Sequence, residues 1–220
     1  MSVISGEVSR LAAAIEAYGF PAVYFDFDAG RPVQAINMRE VECVVQDMLR
    51  SPSRDRVKDG LANVLYWGYA QIGFGERRVR RFRDLVQPEQ IESLQDLARQ
   101  GPAPSLSAVA AIRMPEFSGV SFISKILAFM DPSDYCVLDK QLLKLAAVSG
   151  TGALHRVSAG TQIRVTRANE HAYDDWRAEC RGISTRCFGG RYRVIDIERG
   201  FFQMVQSGDV AAAARIYGSA

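Results

Sequence analysis

Apolar residues recur at intervals of three and four through most of this chain, and that period leaves little of it free to form a sheet. Val8, Leu11, Ala12, Ile15 and Tyr18 fall on one helical face, predicting an amphipathic helix over about 5–19 that Gly19 ends. From Met38, REVECVVQDMLR sets Val41, Val44, Val45 and Met48 at helical spacing. Ser51-Pro52-Ser53 breaks the chain, and a long helix follows from about Asp55 to Ala70 with a stripe of Val57, Leu61, Val64 and Leu65. Further helices are predicted at about 76–85, 88–99, 105–113, 121–130, 138–148, 169–182, 193–206 and 208–217. Two short stretches depart from the pattern. AVYFDFDAG reads as a strand closing in a glycine turn and pairing with PVQAI, a β element over 22–36. In the Gly-, Ser- and Thr-rich stretch 149–167, LHRV and TQIRV predict a second small hairpin over 153–166. The expected fold is mainly α with small β elements, a single unit over residues 1–220 whose terminal segments pack as a second lobe.

An apolar share of 48% is ample for the core of such a domain. The N-terminal segment carries Glu7 and no apolar run of signal-peptide length, and no stretch approaches 18 uninterrupted apolar residues. The expectation is therefore a cytoplasmic chain with no membrane partner. Cys43, Cys136, Cys180 and Cys187 form no CxxC pair and read as reduced thiols. His155 and His171 are the only histidines, too little for a zinc site. A formal net charge of +2 does not announce a nucleic-acid partner, so such a partner requires a local basic surface. The densest basic run is GERRVRRFRD, where Arg77, Arg80 and Arg81 are the candidate phosphate contacts; the alternative is a solvated helix face offset by Glu76 and Asp84. Arg164 and Arg167 flank the second β element and add to the basic candidates. Tyr66, Trp67, Tyr69 and Phe201 read as core aromatics.

The most informative stretch is 114–145, MPEFSGVSFISKILAFMDPSDYCVLDKQLLKL. It reads as a helix end, a tight turn at Ser118-Gly119-Val120-Ser121, a helix of about ten residues and an Asp131-Pro132 turn. A short extended run then delivers Asp139 to the start of another helix. A glycine-centred turn brings backbone N–H groups to a helix N-terminus, where the dipole favours an anion such as a DNA phosphate.

This layout resembles the helix-hairpin-helix and Gly/Pro-rich loop–Asp motif of the DNA glycosylase superfamily, nearest to bacterial proteins with an 8-oxoguanine glycosylase fold. The hairpin counterpart is Phe117-Ser118-Gly119-Val120-Ser121 and the terminal Val-Asp counterpart is Leu138-Asp139. The specific match covers about 30 residues; YDDWRAECRG and YRVIDIERGFF add a looser likeness to the closing helices. The resemblance implies a DNA N-glycosylase acting on a damaged or modified guanine in double-stranded DNA by base flipping, possessing AP lyase activity in its bifunctional form. It requires no cofactor, and it serves repair or defence against foreign DNA. Gly119, Val120 and Ser121 would grip phosphate, Asp139 would assist the chemistry, and Phe202 with Glu198 would line a base pocket between the lobes.

The register of the nucleophile departs from the family. Aligning Gly119-Val120 on the family hairpin places Ile123 where bifunctional members carry lysine, and the nearest lysine is Lys125. Two residues rotate a helix by roughly 200°, so Lys125 is the nucleophile only if the alignment shifts near Phe122. Lys140, beside Asp139, is a second candidate, and Asp139 itself also suits a plain helix cap. Cys180 and Cys187 have the gap of the first pair in the family's iron–sulfur branch, but its other two cysteines are missing, so no cluster is expected. The alternative function is a catalytically inactive relative that binds DNA or a protein partner through the same hairpin. A remoter one is a magnesium-dependent phosphatase, because a hydrophobic strand ending in Asp26-x-Asp28 resembles the haloacid-dehalogenase nucleophile motif.

Overall fold

The structure, a computed structural model, describes residues 2–99 and 104–219. It is mainly helical, and its described residues form two compact units: residues 20–131, and residues 1–19 together with 132–220. No helix among the described residues is long and apolar enough to cross a membrane.

The unit of residues 20–131 begins with β1 (Val23–Asp26) and β2 (Arg31–Gln34), which pair antiparallel with Val23 opposite Gln34. Helices α2 (Met38–Leu49), α3 (Arg54–Gly68), α4 (Gly75–Leu85), α5 (Pro88–Arg99), α6 (Leu106–Ala111) and α7 (Val120–Met130) follow. Asn37 and Ser53 cap α2 and α3 by accepting from the N–H three residues on, which is why both helices start where a short polar side chain stands. The core is the apolar stripe of α3, with Val57, Leu61, Val64 and Leu65 all at 0% exposure, packed against Val41 and Val45 of α2 and Ile123, Ile126 and Leu127 of α7. Each such side chain contributes about 1.5–3 kcal/mol by leaving water. Asn63, fully buried on α3, accepts the Phe25 N–H (2.6 Å) and donates to the Phe25 carbonyl (3.1 Å), so one side chain satisfies both backbone groups of a strand residue. At the far end of α7, Gln46 and Arg50 both donate to the Met130 carbonyl (2.8 and 2.7 Å).

The other unit holds α1 (Ser2–Glu16), α8 (Leu143–Ser149), α9 (Arg167–Phe188), α10 (Val194–Gln206) and α11 (Val210–Gly218). Trp176, Tyr135, Tyr173 and Phe201 are its largest buried side chains. α1 and α10 touch closely at Gly200, where a Cβ would stand 2.6 Å from Ile15 and 2.7 Å from Leu11.

Four expectations are corrected. LHRV is not a strand: Ala153–Arg156 is a 3-10 turn, and of the 153–166 hairpin only an isolated Ala159–Ile163 bridge forms. α9 runs six residues past 182 and ends at Phe188, where Gly189 takes the left-handed conformation (φ 60°) that closes it. The helix expected at 138–148 starts at Leu143, after an extended run and a turn. The hairpin turn is not glycine-centred: Gly119 is extended (φ −125°, ψ 162°), and the left-handed positions are Arg113 (φ 57°) and Glu116 (φ 69°).

Candidate functional site

The turn of the α6–α7 hairpin and α4 are locked together. Glu116 holds a left-handed backbone that costs a non-glycine residue about 1 kcal/mol or more. Its carboxylate, only 6% exposed, accepts from Arg78 (2.7 Å) and lies 3.3 Å from Arg81, and these two contacts offset the strain. Arg83, further along α4, pairs with Asp59 and lies 4.2 Å from the Phe27 ring centre. The basic run is thus divided. Arg78, Arg81 and Arg83 are engaged with carboxylates, whereas Arg77 and Arg80 are exposed and make no ion pair or hydrogen bond among the described residues.

Beyond the turn, α7 starts at Val120 with no side chain capping it. Val120 is fully buried, so that residue can offer a ligand only its backbone; Gly119 and Ser121 are half-buried. Ser121 lies in the first turn of α7 rather than in the loop. Its hydroxyl and carbonyl oxygens both accept from the Lys125 amine, at 3.0 and 3.3 Å. Lys125 is 6% exposed and its Nζ stands 5.0 Å from the Phe122 ring centre. Its stem therefore folds back toward the helix N-terminus, the direction in which helical side chains lean. Ile123, the residue in the family's lysine register, is core. Phe122 stacks on Tyr69, the residue just past α3 (4.6 Å, 29° between planes), and Arg78 lies 5.6 Å over the Tyr69 ring. Burial raises the Tyr69 phenol pKa, with Arg78 opposing and Glu116 reinforcing.

In the second unit, Asp139 is half-buried and accepts from the Gln141 N–H (2.8 Å), so it caps a turn instead of opening α8. Lys140 beside it is exposed. Glu198 (3% exposed) and Phe202 (8%) stand one turn apart on α10. The Phe202 ring meets Tyr18 edge-on at 6.2 Å, and the Arg199 guanidinium lies 5.2 Å from the Tyr18 ring centre. Burial pushes the Tyr18 phenol up; Arg199 opposes this, and the Glu198 and Asp139 carboxylates add to it. Asp139, Glu198 and Phe202 are thus gathered around Tyr18, a residue the sequence marked only as apolar helix face. Lys125 and the α4 arginines belong to the unit of residues 20–131, and Asp139, Glu198 and Phe202 to the other.

The remaining candidates have structural duties. Asp26 accepts from the N–H groups of Asp28 and Ala29, both at 3.0 Å, holding the β1–β2 turn. The strand it ends belongs to an antiparallel pair, not to the parallel β/α alternation a phosphatase of that type needs. Cys180 and Cys187 both lie on α9 rather than in a loop. Trp67 and Phe201 are core, and His155 and His171 are exposed. Among the described residues no group of three or more His, Cys, Asp or Glu is placed to hold a metal ion. A cavity of about 740 Å³ opens beside the Ala159–Ile163 bridge, lined by Ser158, Gln162, Arg164 and Asn169 and by none of the other predicted site residues.

No protein family, curated protein or solved structure matches this chain.

Proposed function

We propose that the chain is a DNA N-glycosylase of the helix-hairpin-helix kind, which flips a damaged or modified guanine from a duplex and breaks its glycosidic bond. The observation that carries this reading is Lys125: a buried amine folded back onto the first turn of α7, directly behind the uncapped end of a helical hairpin. A helix start of this type suits a backbone phosphate, and Arg77 and Arg80 supply free positive charge on the helix that Glu116 fastens to the hairpin turn. In its neutral form the amine attacks the sugar carbon, and the base departs with the bonding electrons and takes up a proton. The nitrogen lone pair then breaks the ring C–O bond, the ring oxygen takes the proton the amine gives up, and the imine so formed is the lyase intermediate. In the other unit, Asp139 is the residue the resemblance assigns to charge stabilisation, and Phe202 with Glu198 those it assigns to the base. The chemistry requires no cofactor. The likeness of residues 114–145 to the glycosylase motif supports the same reading.

A second reading, a DNA- or protein-binding relative without catalysis, is favoured by the engagement of both polar groups. The Lys125 amine is occupied by Ser121, and the Asp139 carboxylate is occupied by the Gln141 N–H. Incubation with labelled duplexes carrying 8-oxoguanine, other altered bases or an abasic site, with and without borohydride, decides between them. The glycosylase/lyase reading expects a trapped adduct that disappears in Lys125→Ala. Base release without trapping makes the enzyme monofunctional, and binding without release establishes the second reading. A duplex that is neither bound nor cut overturns the glycosylase reading and the DNA-binding form of the second.

A further inference from the structure

Gly68 is the last residue of α3, and a Cβ there would stand 2.6 Å from Cε1 and 3.1 Å from Cζ of Phe122, and 3.3 Å from Cδ of Lys125. Glycine inside a helix costs about 1 kcal/mol relative to alanine, and here that loss lets one ring and one lysine stem lie down on the α3 backbone. The seated ring is fixed on further sides by the Tyr69 stack and by Phe117, edge-on at 6.4 Å. Arg78, Tyr69, Phe122 and Lys125 form a continuous column of cation, ring, ring and cation, with Glu116 closing the arginine end.

We infer that Gly68 and Phe122 are positioning residues for the Lys125 amine: Gly68 seats the Phe122 ring, and the ring sets where Nζ stands relative to Ser121. The inference rests on the glycosylase reading for its catalytic meaning, but its geometry does not. Neither residue touches substrate. A displacement of about an ångström at a reacting group lowers a rate on the order of 100-fold, so the seat matters to the chemistry without taking part in it.

The test is a double-substitution cycle on the full chain, read in two ways. The first readout is the rate of borohydride trapping on an abasic duplex. The second is the ring-current shift of the Lys125 ε-methylene by NMR in lysine-labelled protein. With four lysines in the chain, Lys125→Arg identifies that signal. Gly68→Ala is expected to slow trapping on the order of tenfold to 100-fold and to move the ε-methylene signal. Phe122→Leu is expected to do both as well, and adding Gly68→Ala to Phe122→Leu is expected to slow trapping by less than it does in the wild-type background, because the ring that carries the closest clash is gone and only the 3.3 Å approach to Lys125 Cδ remains. Should Gly68→Ala not fold, Phe122→Leu alone retains the test. Wild-type trapping and an unmoved signal in either single variant overturn the inference, and so do two effects that multiply. If the wild-type protein traps nothing, yet its ε-methylene signal is ring-shifted and Gly68→Ala abolishes the shift, the positioning stands and the glycosylase reading fails. An unshifted signal in the wild-type protein overturns the positioning itself.

Discussion

Arginine does different work on α4 and around α9 and α10. Arg177 and Arg181 on α9, and Arg193 just before α10, are paired with carboxylates of their own unit. Arg177 donates to the Asp134 carbonyl (2.8 Å), pairs with Asp134 and Asp174, and lies 3.9 Å over the Tyr135 ring, while Arg181 closes on the same Asp134. Arg193 binds Asp196 through its backbone N–H, Nε and Nη2 at 3.0, 2.9 and 2.7 Å. α4 has as dense a run of arginine, yet Arg77 and Arg80 project into solvent without an acidic partner. A cation spent on a carboxylate of its own chain holds the fold, whereas a cation left unpaired is available to a phosphate. Counting basic residues along the sequence would rank the two regions alike.

Four variants break or sharpen that contrast, in falling order of their effect on unfolding free energy. Arg177→Met takes the donor from the Asp134 carbonyl and leaves the Asp134 carboxylate to Arg181, with an expected loss of about 2 kcal/mol in denaturant unfolding and unchanged duplex affinity. Asp196→Asn removes charge-assisted bonds at the start of α10, with an expected loss of about 1 kcal/mol at neutral pH. Burial by itself raises the Asp196 pKa, but the Arg193 bonds outweigh it and the net shift is downward. The stabilisation is therefore full above the ordinary carboxylate range and disappears as pH falls through the lowered value. The difference between Asp196→Asn and wild type should accordingly shrink in acid, and a gap that widens there would refute the assignment. Glu116→Gln releases Arg78 and Arg81 at a cost below about 1 kcal/mol and steepens the dependence of duplex affinity on salt. The Arg77→Ala/Arg80→Ala pair leaves stability within about 0.5 kcal/mol. It should reduce the slope of log affinity against log salt by about two; an unchanged slope removes α4 from the nucleic-acid surface.

The parts of the fold legible in the sequence are those governed by local chemistry. Pro88 and the 3.6-residue period gave α5 its bounds, and Ser53 marked the start of α3 through a hydrogen bond only three residues long. The antiparallel strands were legible from their alternation and the turn between them. What stayed hidden was set by contacts distant in sequence. Gly119 looked like the bend of the hairpin, but the left-handed positions fell on Arg113 and on Glu116, whose side chain finds two arginines nearly 40 residues earlier. The helical-wheel angle of Lys125 gave no sign that its stem folds back to Ser121. Tyr18 came out as one more apolar position, because its neighbours Arg199 and Phe202 lie some 180 residues away. Gly68 carried no signal at all, since its role is the space it leaves to another helix.

The Glu116 clamp also determines how this part of the molecule comes apart. A left-handed residue held by two ion pairs relaxes as soon as α4 lifts, and α4 gives up both arginine contacts once the turn uncoils. The two segments therefore open together, and their amides should exchange with solvent in one cooperative step rather than fraying separately. A nucleic acid that engages α4 would then slow exchange in the hairpin turn as well, giving bound phosphate a signature at residues it never touches.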